Sequence, residues 1–289
     1  MKFDALVLCG GGVKGLTLLG TLQYLYTKTE YLKNMEYYSG TSIGSIICVL
    51  LCLNFSPVQL FSHSYAISSS NMLECTFQDV LNIPTKFGIK SNQQLIESFL
   101  SILKNQLEVN LLGIKTLYDL YIYTNKMIYI CTTQLPNKKP VYLNAKDHPH
   151  LPIIDALRMS CNIPILFTKI EYNEYLYIDG ALTDNLPIFP LSDKKVLCIN
   201  IEHTSKIRAN EMGLVDYLYE IFMPARNYNQ RYEKAIIIEI PNFDIDTLGL
   251  DLTLEKRRKI FYQAFKKCEE IIDKLEIEEF ENNDVWCNE

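Results

Sequence analysis

The sequence predicts an α/β protein, one domain with a largely parallel sheet lying between helical layers. Three observations carry this reading. Short apolar runs with strand character alternate with helical periodicity from end to end of the 289-residue chain. Two strand-to-helix junctions are rich in glycine, Gly10-Gly11-Gly12-Val13-Lys14-Gly15 and Gly40-Thr41-Ser42-Ile43-Gly44. No repeat, low-complexity block or linker interrupts the alternation.

Taken in order, Phe3 to Cys9 is an apolar run ending at glycines, the pattern of a buried strand. Val13 to Tyr26 is helical, with Leu16, Leu18, Leu19, Leu22 and Leu25 on one broad face. Glu36 to Ser39 approaches as a second strand and stops at the Gly40–Gly44 turn. Ile46, Ile47, Val49, Leu50 and Leu53 then continue as an apolar helix. Ser56-Pro57 supplies an N-cap followed by proline at the first helical position. Residues 57–125 read as mostly helix and loop without identifiable chemistry; 92–107 has helical spacing, and 116–123 forms a short helix. Strands return at 127–133, 141–143, 174–178, 196–202 and 235–240. A last amphipathic helix spans about 253–275, with Ile260, Ala264, Cys268 and Ile272 on its buried side, followed by an acidic, solvated tail.

Bulk composition narrows the function. With 48% hydrophobic and 21% charged residues there is ample material for a core. A net charge of −6 argues against nucleic-acid binding, which needs a concentrated basic surface. Nine cysteines without regular spacing, and no basic-then-apolar leader at the start, point to reduced thiols and a cytoplasmic setting. The longest apolar run, 46–53, is far short of the roughly 20 residues that span a bilayer. No CxxC or HExxH pattern is present, so no metal site is expected.

The first glycine loop admits two uses. Backbone N–H groups at a helix start point at an anion, either a nucleotide phosphate or the oxyanion of a reacting ester. The second loop places Ser42 between Gly40 and Gly44, where a strand meets an apolar helix. That is the context of a nucleophile elbow, although the same glycines suit a close turn with Ser42 as a plain N-cap. A serine nucleophile needs a base. None of the four histidines, His63, His148, His150 and His203, carries a local pattern. Asp179-Gly180-Ala181 ends the strand YLYI and could bring a carboxylate close to another loop, or be a simple turn.

In chain order GGGVKG, GTSIG and DGALTDNLP resemble the three signature segments of patatin-like phospholipases. TLYDLYIYTNKMIYICTTQLPNKKPVYLN and DALRMSCNIPILF resemble the family's intervening segments. The similarity runs from about Phe3 to Leu191, within one unit covering 1–289; 192–289 is less telling. The resemblance implies a three-layer α/β/α sandwich and a Ser–Asp dyad without histidine. It makes Ser42 the nucleophile and Asp179 the base. Gly10, Gly11 and Gly12 form the oxyanion hole, with Gly11 and Gly12 as leading donors. Lys14 stands where the family has Arg or Lys and is expected to steady the loop or a lipid phosphate. Gly15, Gly40, Gly44, Gly180 and Ala181 support the motifs. The implied substrate is a phospholipid or other acyl lipid, met at a membrane or micelle surface. No cofactor or metal is needed, and the leucines and isoleucines after Ser42 together with the aromatics near YLYI would line an acyl slot.

Three rivals remain. A Rossmann nucleotide enzyme fits the opening and could use Glu30 for a ribose. A Ser–Asp–His hydrolase would use Ser42, Asp179 and His203. A catalytically silent lipid-binding or interaction protein could retain the same fold.

Overall fold

The computed structural model describes residues 1–64, 76–105, 113–202, 232–243 and 252–284. Ten strands are present among them: β1 (Ala5–Leu8), β2 (Tyr37–Thr41), β3 (Gly88–Lys90), β4 (Met127–Leu135), β5 (Lys139–Leu143), β6 (Ile165–Phe167), β7 (Ile170–Tyr172), β8 (Tyr175–Asp179), β9 (Val196–Ile201) and β10 (Ala235–Ile240). The helices are α1 (Gly15–Lys28), α2 (Ile43–Cys52), α3 (Pro57–Ser64), α4 (Phe77–Leu81), α5 (Ile83–Lys86), α6 (Gln93–Leu100), α7 (Ile102–Asn105), α8 (Leu117–Thr124), α9 (Ile153–Ser160) and α10 (Leu254–Asp284). The result is a mixed α/β fold with a central sheet covered by helices.

The sheet runs β10-β9-β1-β2-β4 with all four pairings parallel. Every residue of β1 and β9 is buried, which explains why both read as unbroken apolar runs rather than as alternating strands. Beyond this parallel core, β5, β8 and β7 add antiparallel pairings. β5 occupies positions 130–134 of β4, overlapping positions used by both β2 and β8. β5 therefore takes one edge of β4, and β2 and β8 share the other. β2 runs with β4 and β8 runs against it, so their C-terminal ends meet. Thr41 lies opposite Cys131, and Asp179 opposite the next residue, Thr132. This head-to-head meeting brings Ser42 and Asp179 together.

On one side of the sheet, α10 lies parallel to α1. Gly20 faces Phe261 and Ala264, and Tyr24 meets Phe265 edge-on at 5.3 Å. α3 runs back against α10, with Phe61 on Phe261 at 4.1 Å between ring centroids. These contacts bury the apolar side of α10, including Ile260, Ala264, Cys268 and Ile272. At 25 cal/mol per Å² of apolar surface, each of the two isoleucines contributes roughly 1.5–3 kcal/mol.

Several local expectations are corrected. The helix expected over 92–107 is broken at Ser101, whose N–H and hydroxyl both turn back to Ser98 O (3.3 and 2.7 Å), a side-chain bond that competes with the helix ladder. Residues 106–107 lie outside the described residues. The last helix continues past 275 to Asp284 because glutamates propagate a helix well, so most of the acidic tail is helical. β3, β6 and β7, of three residues each, are too short to show a period and were not expected.

Candidate active site

Ser42 sits between the end of β2 and the start of α2 with φ 52° and ψ −125°. A non-glycine residue at positive φ is strained by roughly 1–3 kcal/mol and persists only where its surroundings hold it. Here they do. A Cβ on Gly40 would lie 2.6 Å from Gly44 C, and one on Gly44 would lie 2.5 Å from Cys9 O and 2.6 Å from Leu8 O. Only two glycines let the elbow close against itself and against β1. Ser42 O accepts from Ser45 N (2.9 Å) and Ser45 Oγ (2.6 Å), which opens α2.

Ser160, at the end of α9, was not anticipated. Its hydroxyl accepts from Ser42 N (2.9 Å) and donates to Cys131 O (2.6 Å), at the point along β4 where β2 gives way to β8. Ser160→Ala would leave the buried Ser42 amide unpaired. The expected cost is about 1–3 kcal/mol in denaturant unfolding, with a fall in turnover because Ser42 loses its backbone anchor.

Asp179 is only 4% exposed. Its backbone N–H donates to Asn162 O (2.9 Å), its backbone O accepts from Thr133 Oγ1 (3.0 Å), and its Oδ1 accepts from Ala181 N (2.9 Å). Burial pushes the carboxyl up to about 6, against the opposing pull of the Ala181 amide and the Ser42 hydroxyl beside it. Cys161 also neighbours Ser42. Burial, reinforced by the Asp179 charge, pushes its thiol well above the usual range, so it stays protonated and is no rival nucleophile.

The three motif segments are stapled together by hydrogen bonds. Ser39 Oγ donates to Pro187 O (2.8 Å), and Thr41 Oγ1 donates to Asp184 O (2.8 Å). Gly10 N donates to both Asn185 O and Asn185 Oδ1 at 3.2 Å. This corrects the expectation for Gly10: its N–H is engaged by Asn185 and is not turned to the site. Gly11 and Gly12 stand at the start of a 3₁₀ turn, Gly12–Lys14, where N–H groups have no partner within the turn, and Gly12 has φ 57°. Lys14 is buried with its stem against Gly11, and Gly15 lies against Ile43. Asp184 accepts from Tyr142 Oη (2.7 Å) and is pushed up by burial, a brace between this loop and β5.

Ser42 opens onto an apolar cavity of about 200 Å³. Ile43, Ile46, Ile47 and Leu50 of α2 form one wall, as expected, whereas the tyrosines of β8 are not part of it. Instead Leu60 of α3 and Leu95 and Phe99 of α6 close it, so the stretch that carried no readable chemistry supplies a wall. His63 lines the cavity but donates to Ser98 O (2.9 Å), and His203 lies outside the described residues. Glu30 pairs with Lys33 on the surface before β2, away from any strand end where a ribose would bind.

Fold and site belong to the class of mixed α/β proteins that seat a serine at a strained strand–helix turn beneath an apolar cavity. A family model described as patatin-like phospholipase matches residues 6–192, and the chain belongs to that family. It is 28% identical over 189 residues to "Probable lipid hydrolase 463L" of Invertebrate iridescent virus 6, covering 64% of this chain and 62% of that one. It is 24% identical over 286 residues to protein R571 of Acanthamoeba polyphaga mimivirus, covering 93% and 94% of the two chains. Among solved structures, VipD from Legionella pneumophila aligns with a TM-score of 0.61 at 16% identity, over 94% of this chain and 67% of that one. The ExoU–SpcU complex of Pseudomonas aeruginosa contains a chain that aligns with a TM-score of 0.51 at 19% identity, over 94% and 51%. At these identities the structural likeness is one of fold. Family and relatives together support a lipid hydrolase.

Proposed function

We propose that this chain is a serine acyl hydrolase of phospholipids or related acyl lipids, acting through Ser42 and Asp179. The observation that carries the reading is a strained, glycine-clamped serine beside a buried carboxylate, at the mouth of an apolar cavity.

Ser42 Oγ attacks the ester carbonyl as Asp179 accepts its proton. A carboxyl held near 6 is a stronger base than an ordinary aspartate, yet is mostly ionised at neutral pH. The Gly11 and Gly12 amides receive the tetrahedral oxyanion, and one such donor contributes on the order of 2.7–4 kcal/mol to the transition state. The proton passes from Asp179 to the leaving alcohol, and water, activated by the same carboxylate, then releases the acyl group. Lys14 steadies the glycine loop. Amides carry the developing charge, so the reaction is proposed to need no metal or cofactor.

The acyl chain follows α2 from Ile43 to Leu50, a path of about 10 Å at the helical rise, and each buried methylene adds about 0.8 kcal/mol. Such a substrate resides in a membrane or micelle. Exposed Val80, Leu81 and Phe87, with Lys86, Lys90 and Lys169 close by, support transient contact there. They adjoin the β3–β6 pair, whose Leu166 and Phe167 line the cavity. Among the described residues no helix is long and apolar enough to cross a membrane. Among the described residues no cysteine forms a disulfide, which favours a reducing, cytoplasmic compartment.

The test is fatty-acid release from a mixed phospholipid panel, with fluorophosphonate labelling in parallel. Wild type is expected to release fatty acid in the presence of EDTA and to label at Ser42, and Ser42→Ala to do neither. Release that persists in Ser42→Ala, or that stops in EDTA and returns with calcium, would overturn the mechanism. A protein that binds lipid but releases nothing would be the silent relative instead.

A further inference from the structure

We propose that Arg257 reads an anionic phosphodiester next to the ester, making this a site for glycerophospholipids over neutral glycerides. The inference rests on the hydrolase reading for its placement of the ester at Ser42.

The cavity wall is almost wholly apolar, and among the described residues Arg257 is the one permanently charged side chain on it. Its guanidinium is held, but by no charged group among the described residues. Nε donates to Leu252 O (3.2 Å) and Nη1 to Ser64 O (2.7 Å), both neutral carbonyls. Among the described residues no carboxylate pairs with it, and the two Nη2 hydrogens have no acceptor. A cation beside an apolar cavity is costly to leave unpaired, and a fork with one free end is preorganised for an anionic oxygen.

Helix directions place this group at the mouth of the cavity. α2 starts at Ser42 and leads away; after a four-residue connection α3 returns, so Ser64 comes back toward the level of Ser42. α10 runs parallel to α1, and the turn bearing Arg257 precedes the one that meets Gly20. Arg257 therefore stands near the beginning of α1, beside Leu16 and the glycine loop, where α3 ends. In a glycerophospholipid the phosphodiester and the ester share one glycerol, so an ester at Ser42 carries its phosphate to this end. Arginine matches phosphate geometry in a way lysine does not.

The same chemistry is offered by the carboxylate of a released fatty acid, so the experiment separates the two. Binding is measured in the Ser42→Ala background, which needs no turnover. The probes, all below their micellar concentrations, are a short-chain diether phosphatidylglycerol, the matching neutral diether glycerol, and laurate. Arg257→Gln is expected to cut the preference for phospholipid over neutral diether about tenfold or more, and Arg257→Lys to recover only part of it. In the Arg257-intact protein the same preference is expected to shrink as salt rises, which tests the idea even if the variants fold poorly. An unchanged preference in Arg257→Gln, or one insensitive to salt, would reduce Arg257 to a clamp between α3 and α10. Loss confined to laurate would assign the group to product rather than substrate. A failed hydrolase reading is detected separately, by fatty-acid release in wild type.

Discussion

Asp179→Asn is expected to lose turnover by a factor on the order of 10²–10⁴ while making the folded protein more stable at neutral pH. The two effects have one cause. Burial raises the Asp179 carboxyl from 3.8 to about 6, so above that pH the fold holds a desolvated charge. In the unfolded chain the group ionises near 4. Between about pH 4 and pH 6 the folded state retains a proton that the unfolded state has released, so stability falls as pH rises through that window and stays lower above it. At 1.36 kcal/mol per pKa unit the burden is about 3 kcal/mol. Asparagine removes the charge and keeps an oxygen for the Ala181 amide (2.9 Å). The variant should therefore melt a few degrees higher than wild type at pH 8, with the difference vanishing near pH 4. Wild-type kcat should fall about tenfold per pH unit below about 6 as the base is protonated. An Asn variant that keeps turnover, or that is less stable at pH 8, would contradict the assignment of Asp179 as a buried base.

Gly44→Ala should be severely damaging to the fold. The added carbon would sit 2.5 Å from Cys9 O and 2.6 Å from Leu8 O. Both are backbone atoms at the end of β1, which is locked between β9 and β2 and cannot step aside. α2 would have to lift away from the sheet instead, and all ten of its residues are buried. Overpacking of this kind costs roughly 3 kcal/mol or more. A displacement of Ser42 by about 1 Å would lower turnover about 10²-fold in whatever protein folds. Gly113, where an added Cβ meets nothing within 4 Å, is the control: Gly113→Ala should match wild type in thermal melting and fatty-acid release. Equal behaviour of the two variants would mean that the elbow is not closed as described.

The parts of the site legible in the sequence were those that depend on neighbouring residues. A serine flanked by glycines at a strand–helix junction announces a tight turn, and DGA after YLYI announces a carboxylate at a strand end. Ser160 and Asn185 announce nothing, because their work is done across distances that no spacing rule spans. Ser160 stands out only because its hydroxyl bridges Ser42 N and Cys131 O. Asn185 matters because it takes up the Gly10 amide, 175 residues away in the chain. The wall contributed by α3 and α6 was invisible for the same reason: Leu60, Leu95 and Phe99 look like any core residues until the cavity is seen.

Periodicity and motif order were enough for the class of fold and the family, and they singled out the two groups proposed to react. These follow from short-range rules: apolar spacing selects helix or strand, and glycines permit turns that other residues forbid. What they could not supply is the direction in which β8 crosses β4. A five-residue strand has the same pattern whichever way it pairs, and only its antiparallel docking on the edge that β2 vacates sets Asp179 against Ser42. The raised carboxyl and the protonated Cys161 likewise arise from what the completed fold removes from water. Desolvation belongs to the packed molecule, and no stretch of chain carries it alone.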